Sequence, residues 1–189
     1  MDGKIIILSA PSGTGKSTII RQLMEKHPEL DLHFSISATS REPRSGEAHG
    51  KEYYFLDLDE FQKKIDANEF VEWEEVYEGT YYGTLWSEVE RIVGQGHTLI
   101  MDIDVNGSLS MKEKFGDKAL SIFILPPSVK ELECRLRNRA TDTADEVARR
   151  LAKAGYEMTY APEFDCVVIN NELETATEEV ARKIKEFNP

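Results

Sequence analysis

The stretch Ala10-Pro11-Ser12-Gly13-Thr14-Gly15-Lys16-Ser17-Thr18 has the residue types that hold phosphate. Two glycines let a backbone curl until successive N–H groups point inward at an anion. The helix expected to start at Lys16 adds its positive end. Lys16 brings a full charge to the outer phosphates, and the Ser17 hydroxyl suits Mg2+. The pattern G-x-x-x-x-G-K-[ST] has Ala10 at its first glycine, a mild change where φ is negative. A glycine-rich turn that binds nothing shares the composition, but not the order apolar strand, loop, Lys-Ser, helix. The motif implies a nucleoside triphosphate and leaves open what is done with it.

A second set lies downstream. Arg41 and Arg44 stand three residues apart beside Ser37, Thr39 and Ser40, in an acidic chain. Guanidinium groups match phosphate oxygens two at a time; on spacing alone, solvated surface arginines fit as well. Tyr53 and the run Tyr81-Tyr82-Gly83-Thr84 offer hydroxyls suited to a monophosphate, or aromatic packing for a small β lobe. Glu72, on its own, reads as a solvated carboxylate on an alternating strand. Asp102 and Asp104 end an apolar strand, where a simple turn is the other reading. Between residues 135 and 153 there are six Arg or Lys against three Asp or Glu. That is either helix-surface charge or a further layer of charge neutralisation.

The elements that must position these groups follow from periodicity. Apolar runs at 4–9, 98–103, 119–125 and 164–169 read as buried strands, and 33–37 alternates like a strand. Helices are expected over 16–26, 85–93, 105–115, from Ser128 to about 139, over 144–160 and over 173–187, with Ala176, Val180, Ile184 and Phe187 as one stripe. Between them lie a polar loop at 38–51, a short strand at 53–56, a helix at 60–67 capped by Asp59, and β-rich segments at 70–77 and 81–84. Continuous apolar strands alternating with helices imply an α/β fold: a parallel sheet covered on both faces, with a small, mostly antiparallel lobe over about 35–85. Ligands of such sheets sit at the carboxyl ends of the strands, where the loop at 10–18 and Asp102 fall.

The whole chain sets bounds. Its 189 residues support one substantial core and are read as one domain, without repeats, low-complexity tracts or an evident linker. A net charge of −12 argues against nucleic acid as the main partner. Cys134 and Cys166, far apart and without metal-type spacing, are expected to be buried or half-buried thiols in a reducing compartment. The apolar run 5–8 is too short for a secretory leader and no segment reaches membrane-spanning length, so the expectation is a soluble, cytoplasmic protein with no membrane partner. Oligomeric state, monomer or homo-oligomer, is left open.

APSGTGKS, SISATSREPRSGEAHGKEYYF, EFVEWEEVYEGTYYGT, LIMDIDVNG and RNRATDT, in this order across essentially the whole chain, resemble guanylate kinase. The resemblance implies a P-loop NTPase-type core made of 1–34, 85–127 and 160–189, a GMP-binding lobe at 35–84 and a helical lid at about 128–159. It implies that residues 10–18 hold ATP, with Arg135 on its phosphates and Asn170 near the adenine. Arg41, Arg44, Tyr53 and Tyr82 would clamp the GMP phosphate. Glu72 would read guanine, with Ser37 and Thr84 helping. Asp102 and Asp104 would organise nucleotide and the water shell of Mg2+, with Ser17 also at the metal. Arg139 and Arg150 would approach the transferring phosphoryl group, making Lys16, Arg41, Arg139 and Arg150 the catalytic set. Two departures are visible: Asn106 where Gln is more usual, and Ala140 where Gly is usual.

The implied reaction is transfer of the γ-phosphoryl group of ATP to GMP, and to dGMP, giving ADP and GDP, as in purine metabolism and GMP recycling. Two rivals remain at this point: a kinase of the same fold acting on another monophosphate, and a binding module of the same family without catalysis. The Glu72, Ser37 and Thr84 set argues against the first; the intact Lys16-Ser17 and lid arginines argue against the second.

Overall fold

The computed structural model describes residues 3–138 and 144–188. Five strands, β1 (Ile5–Ser9), β2 (Leu32–Phe34), β7 (Thr98–Asp102), β8 (Ala119–Leu125) and β9 (Cys166–Ile169), form a parallel sheet in the order β2-β7-β1-β8-β9. Four more, β3 (Ala38–Thr39), β4 (Tyr54–Phe55), β5 (Phe70–Tyr77) and β6 (Thr80–Leu85), form a second sheet in the order β4-β3-β6-β5, antiparallel except where β3 meets β4.

β1 shows why the parallel sheet needs helices on both faces. Successive side chains alternate sides, yet all five of its residues are buried. Ile6 and Leu8 pack with Ile19, Ile20 and Leu23 of α1 (Lys16–Lys26) and with Val180, Ala181 and Ile184 of α7 (Leu173–Phe187). Ile5 and Ile7 face the other way, onto Val89, Ile92 and Val93 of α3 (Trp86–Val93) and Met111 of α4 (Val105–Phe115). The second sheet has its own small core, in which Phe61 of α2 (Leu58–Asp66) stacks on Phe70 at 4.4 Å. A further cluster joins Leu132 and Leu136 of α5 (Val129–Arg137) to Val147, Leu151 and Ala154 of α6 (Ala144–Met158).

Four expectations need correction. The strand expected over 33–37 stops at Phe34. The Ser35 N–H still bonds the Ile100 carbonyl, but the Ile36 N–H goes to the Glu88 carboxylate and the chain enters the other sheet at Ala38. Residues 35–37 lie between the two sheets and in neither of them. The cap of α2 is Asp57 rather than Asp59: Asp57 accepts from the Glu60 N–H at 2.7 Å while Glu60 accepts from the Asp57 N–H, a reciprocal pair only Asp57 can make. Cys134 is exposed on α5, although Cys166 is half-buried as expected. α6 ends at Met158, and a short turn containing Pro162 moves the start of β9 from 164 to Cys166. Among the described residues no helix is long and apolar enough to cross a membrane.

Candidate active site

The loop between β1 and α1 closes at the carboxyl edge of the parallel sheet. Gly13 (φ 92°) and Gly15 (φ 99°) adopt left-handed backbone that other residues resist. Its shape is held from three directions. Inside the loop, the Thr14 N–H and hydroxyl both donate to the Pro11 carbonyl, at 3.2 and 2.7 Å. Below it, a Cβ on Gly13 would meet the Leu136 side chain of α5 at 2.8 Å. From the end of β9, the buried Asn170 amide donates to the Thr14 carbonyl at 2.7 Å, and Arg135 donates to the same oxygen at 3.5 Å. Asn170 and Arg135 thus direct these polar groups at the loop's backbone.

Lys16 is ion-paired with Asp102 at the end of β7 and also donates to the Ile103 carbonyl at 3.3 Å. The Ser17 hydroxyl donates to the other Asp102 oxygen at 3.3 Å. A hydroxyl and a carboxylate side by side form an all-oxygen donor set, as a hard cation such as Mg2+ requires. Arg150 of α6 reaches across to donate to the Ser12 hydroxyl at 2.8 Å.

Facing this loop is the second sheet. Glu72 on β5 is buried and accepts from the Thr84 hydroxyl of β6 at 2.6 Å. Their pairing is a consequence of register, since Glu72 and Thr84 are direct cross-strand partners. Burial pushes the Glu72 carboxyl up to about 7, against the Thr84 hydrogen bond, which lowers it. The other Glu72 oxygen lies against α4, where a Cβ on Gly107 would stand only 2.7 Å away. Asp104 caps that helix by accepting from the Gly107 N–H at 2.9 Å, and Asn106 donates to Glu74 on β5 at 2.7 Å. α4 is thereby fixed to the strand that bears Glu72.

Arg41 is bracketed. Its two terminal nitrogens donate to both oxygens of Glu47 at 2.6 and 2.8 Å, its Nε donates to the Tyr82 hydroxyl at 3.2 Å, and the group lies 5.0 Å from the Tyr53 ring centre. The pairing with Arg41 lowers the Glu47 carboxyl to about 2 and raises Arg41 further. Glu47 also accepts from the Arg44 N–H at 2.8 Å, which closes the loop around the pair.

A cleft of about 430 Å³ runs between these two assemblies. Of the residues singled out from sequence, Ala10, Pro11, Ser12, Gly13, Gly15, Lys16, Ser17 and Thr18 line its loop side. Ser37, Arg44, Tyr53, Glu72, Tyr82, Asp102, Asp104 and Arg150 line the rest. Thr14, Arg41, Thr84, Arg135 and Asn170 stand behind this lining and hold it through the bonds above. Arg139 and Ala140 lie outside the described residues.

Three carboxylates escaped the sequence reading. Glu47 follows Arg44 by three residues, a usable loop signal. Glu88, buried on α3, accepts from the Ile36 N–H, the Tyr54 hydroxyl and Arg91, and so joins the second sheet to the first. Burial raises its carboxyl, but Arg91 and the other donors outweigh this and leave it lowered. Glu157 of α6 enters the cleft, its carboxyl raised by burial.

A sequence profile described as guanylate kinase matches residues 2–187. The guanylate kinase of Bacteroides thetaiotaomicron is 53% identical over 187 residues, 99% of this chain and 91% of that one. The guanylate kinase of Porphyromonas gingivalis is 54% identical over 184 residues, 97% of each chain. The crystal structure of guanylate kinase from Anaplasma phagocytophilum superposes with a TM-score of 0.78 at 31% identity, over 97% of this chain and 85% of that one. With a match across nearly its whole length, and a cleft set between the loop at 10–18 and the buried Glu72, this chain belongs to the guanylate kinase family.

Proposed function

We propose that the protein transfers the γ-phosphoryl group of ATP to GMP, and to dGMP, releasing ADP and GDP. The observation that carries this reading is Glu72, a buried carboxylate in the lobe opposite the phosphate loop, with one oxygen held by Thr84. Guanine presents two adjacent donors, N1–H and the 2-amino group, to such a carboxylate. Adenine presents no such pair and would leave a buried acceptor unmatched, a cost of about 1–3 kcal/mol or more. Ser37, which lines the same cleft, suits O6 as a hydroxyl donor.

The roles divide by position. Residues 10–18 hold the ATP phosphates, Arg135 and Asn170 keep that loop in shape, and Asn170 stands near the adenine. Arg44, Tyr53 and Tyr82 receive the GMP phosphate, and Arg41 joins them by exchanging one N–H from Glu47 to a phosphate oxygen. Asp104 fixes the helix beside the base. Mg2+, for which Ser17 and Asp102 (through water) are the fitting oxygens, would supply neutralisation of phosphate charge. Core, GMP lobe and lid would then be the three working parts of one domain, at 1–34 with 85–127 and 160–189, at 35–84 and at about 128–159.

The acceptor phosphate oxygen is already anionic, so no side chain has to remove a proton. What remains is to align two polyanions and stabilise spread negative charge. Lys16, Arg41, Arg150 and, by family resemblance, Arg139 supply that charge. Lys16 must exchange part of its pairing with Asp102 for phosphate as ATP enters. Closure of the lid and GMP lobe excludes water, which would otherwise hydrolyse ATP. Assaying the common nucleoside monophosphates with ATP and Mg2+ tests the reading: GMP is expected to give the highest kcat/KM with dGMP next, and a best substrate lacking guanine would overturn it.

A further inference from the structure

The end of the parallel sheet farthest from the cleft carries a cluster that phosphoryl transfer does not use. Asp31 lies just before β2, His33 is in β2, and His97 lies just before β7. His33 Nε2 is 3.1 Å from one Asp31 oxygen and His97 Nδ1 is 2.7 Å from the other. The two imidazoles are stacked, with ring centres 4.0 Å apart. One donor atom from each residue falls within 4.8 Å of the others, and among the described residues no other group of His, Cys and carboxylate side chains converges this way. Two of the four histidines in the sequence are here.

We propose that Asp31, His33 and His97 form a binding site for a divalent transition-metal ion of the zinc type. Two imidazoles and a carboxylate select Zn2+, Co2+ or Ni2+ over Mg2+, which takes oxygen ligands. A tetrahedral ion with bonds of about 2.0–2.1 Å holds its ligands roughly 3.3 Å apart. His33 and His97 each approach a different Asp31 oxygen, at 3.1 and 2.7 Å, so a modest turn of the exposed carboxylate and of the two rings brings one oxygen and two nitrogens onto a single ion. Three protein ligands leave a fourth position for water, and the exposed Asp31 side gives the ion an entry path.

The backbone supplies a second observation. Asp31 has φ 47°, and Asn68 is the one other non-glycine residue with positive φ among the described residues. Exposed His–Asp hydrogen bonds stabilise little by themselves. A left-handed turn that aims the carboxylate at both rings fits a constellation built to hold something. β2 is a three-residue edge strand, paired to β7 by register His33 to Leu99. A metal at this point clips the edge strand to the turn that starts β7. The cleft lies at the other end of β7, five residues or roughly 15 Å away. The ion would thus secure the sheet and take no part in the reaction.

The test uses tag-free full-length protein with Mg2+ in excess and no nucleotide. Titration with Co2+ is expected to raise visible absorption that saturates at one equivalent and is abolished by Zn2+. Zn2+ is expected to raise Tm of the wild type. In the double variant His33→Gln/His97→Gln the band should disappear and the Zn2+ response of Tm should fall by at least about tenfold in apparent affinity, with GMP phosphorylation unchanged. Asp31→Asn, the less intrusive change, should weaken Co2+ binding in the same direction if the double variant folds poorly. No visible band in wild-type protein, or equal Co2+ binding by wild type and Asp31→Asn, would overturn the proposal. Neither result bears on which monophosphate is phosphorylated.

Discussion

The two sides of the cleft are built on opposite plans. The loop proposed to hold ATP is local: one run of sequence between β1 and α1, shaped by two left-handed glycines. The acceptor side is assembled from distance, with Arg41 from one loop, Glu72 and Thr84 from paired strands, and Glu88 reaching back from α3. A triphosphate offers the same charge whatever its base, so backbone geometry suffices. On the proposed reading, a guanine edge is told from an adenine edge by a side chain largely withdrawn from water. The consequence is visible in Glu72, whose carboxyl burial lifts to about 7. The loop side is strapped by hydrogen bonds; the other side carries a carboxyl whose charged form burial disfavours.

That contrast can be broken most severely at the loop. Lys16→Met should reduce turnover by about a thousandfold or more while circular dichroism and Tm stay near wild type. Near-wild-type turnover would remove Lys16 from the catalytic set.

The acceptor side should respond in the opposite way, losing function while gaining stability. Glu72→Gln should lower kcat/KM for GMP by about a hundredfold or more, with a far smaller effect on AMP. A carboxyl with a folded value near 7 and an ordinary value of 4.5 binds more protons folded than unfolded between those values, so it lowers stability as pH rises through that window. Glu72→Gln should therefore be the more stable protein at pH 8, by up to about 3 kcal/mol, and the advantage should vanish near pH 4.5. Urea denaturation at the two pH values measures this. By the same titration, the GMP affinity of the wild type should fall as pH drops below 7.

Two smaller changes separate the two sides from each other. Glu88→Gln weakens the link between the sheets at Ile36, Tyr54 and Arg91; it should raise KM for GMP several-fold, leave KM for ATP unchanged, and cost about 1–3 kcal/mol of stability. Asn170→Ala removes the main donor to the Thr14 carbonyl and should do the reverse, raising KM for ATP with little effect on KM for GMP, at about 1–2 kcal/mol. Parallel shifts of both KM values in either variant would argue that the two sides are not independently built.

The same contrast explains what could be read from sequence. α1, α4, α7, β5 and β8 lie where periodicity puts them, because each is a long stretch with one apolar rule. The loop at 10–18 was readable for the same reason: its order along the chain is its structure. At 33–37 periodicity misled, since the chain leaves one sheet at Phe34 and enters the other at Ala38, so the alternating residues between form no strand. Partnerships across the chain leave no periodic mark, and several could be named only through the resemblance. Asn170 and Thr14 are 156 residues apart, and nothing in either segment announces the bond between them. Glu88 sits on the buried face of an ordinary amphipathic helix, where helical spacing gives no sign of the Arg91 and Tyr54 that meet it. Glu47 pairs with Arg41 within one loop, but a carboxylate–arginine pair in a loop has no periodic signature.

The central claim is that a buried carboxylate makes this cleft a guanine site facing an ATP site. The most direct measurement is the ratio of kcat/KM for GMP over AMP, taken side by side for the wild type and Glu72→Gln with ATP and Mg2+. The account predicts a ratio strongly in favour of GMP in the wild type that falls by about a hundredfold or more in the variant. An unchanged ratio in Glu72→Gln, or a wild type indifferent between GMP and AMP, would contradict it.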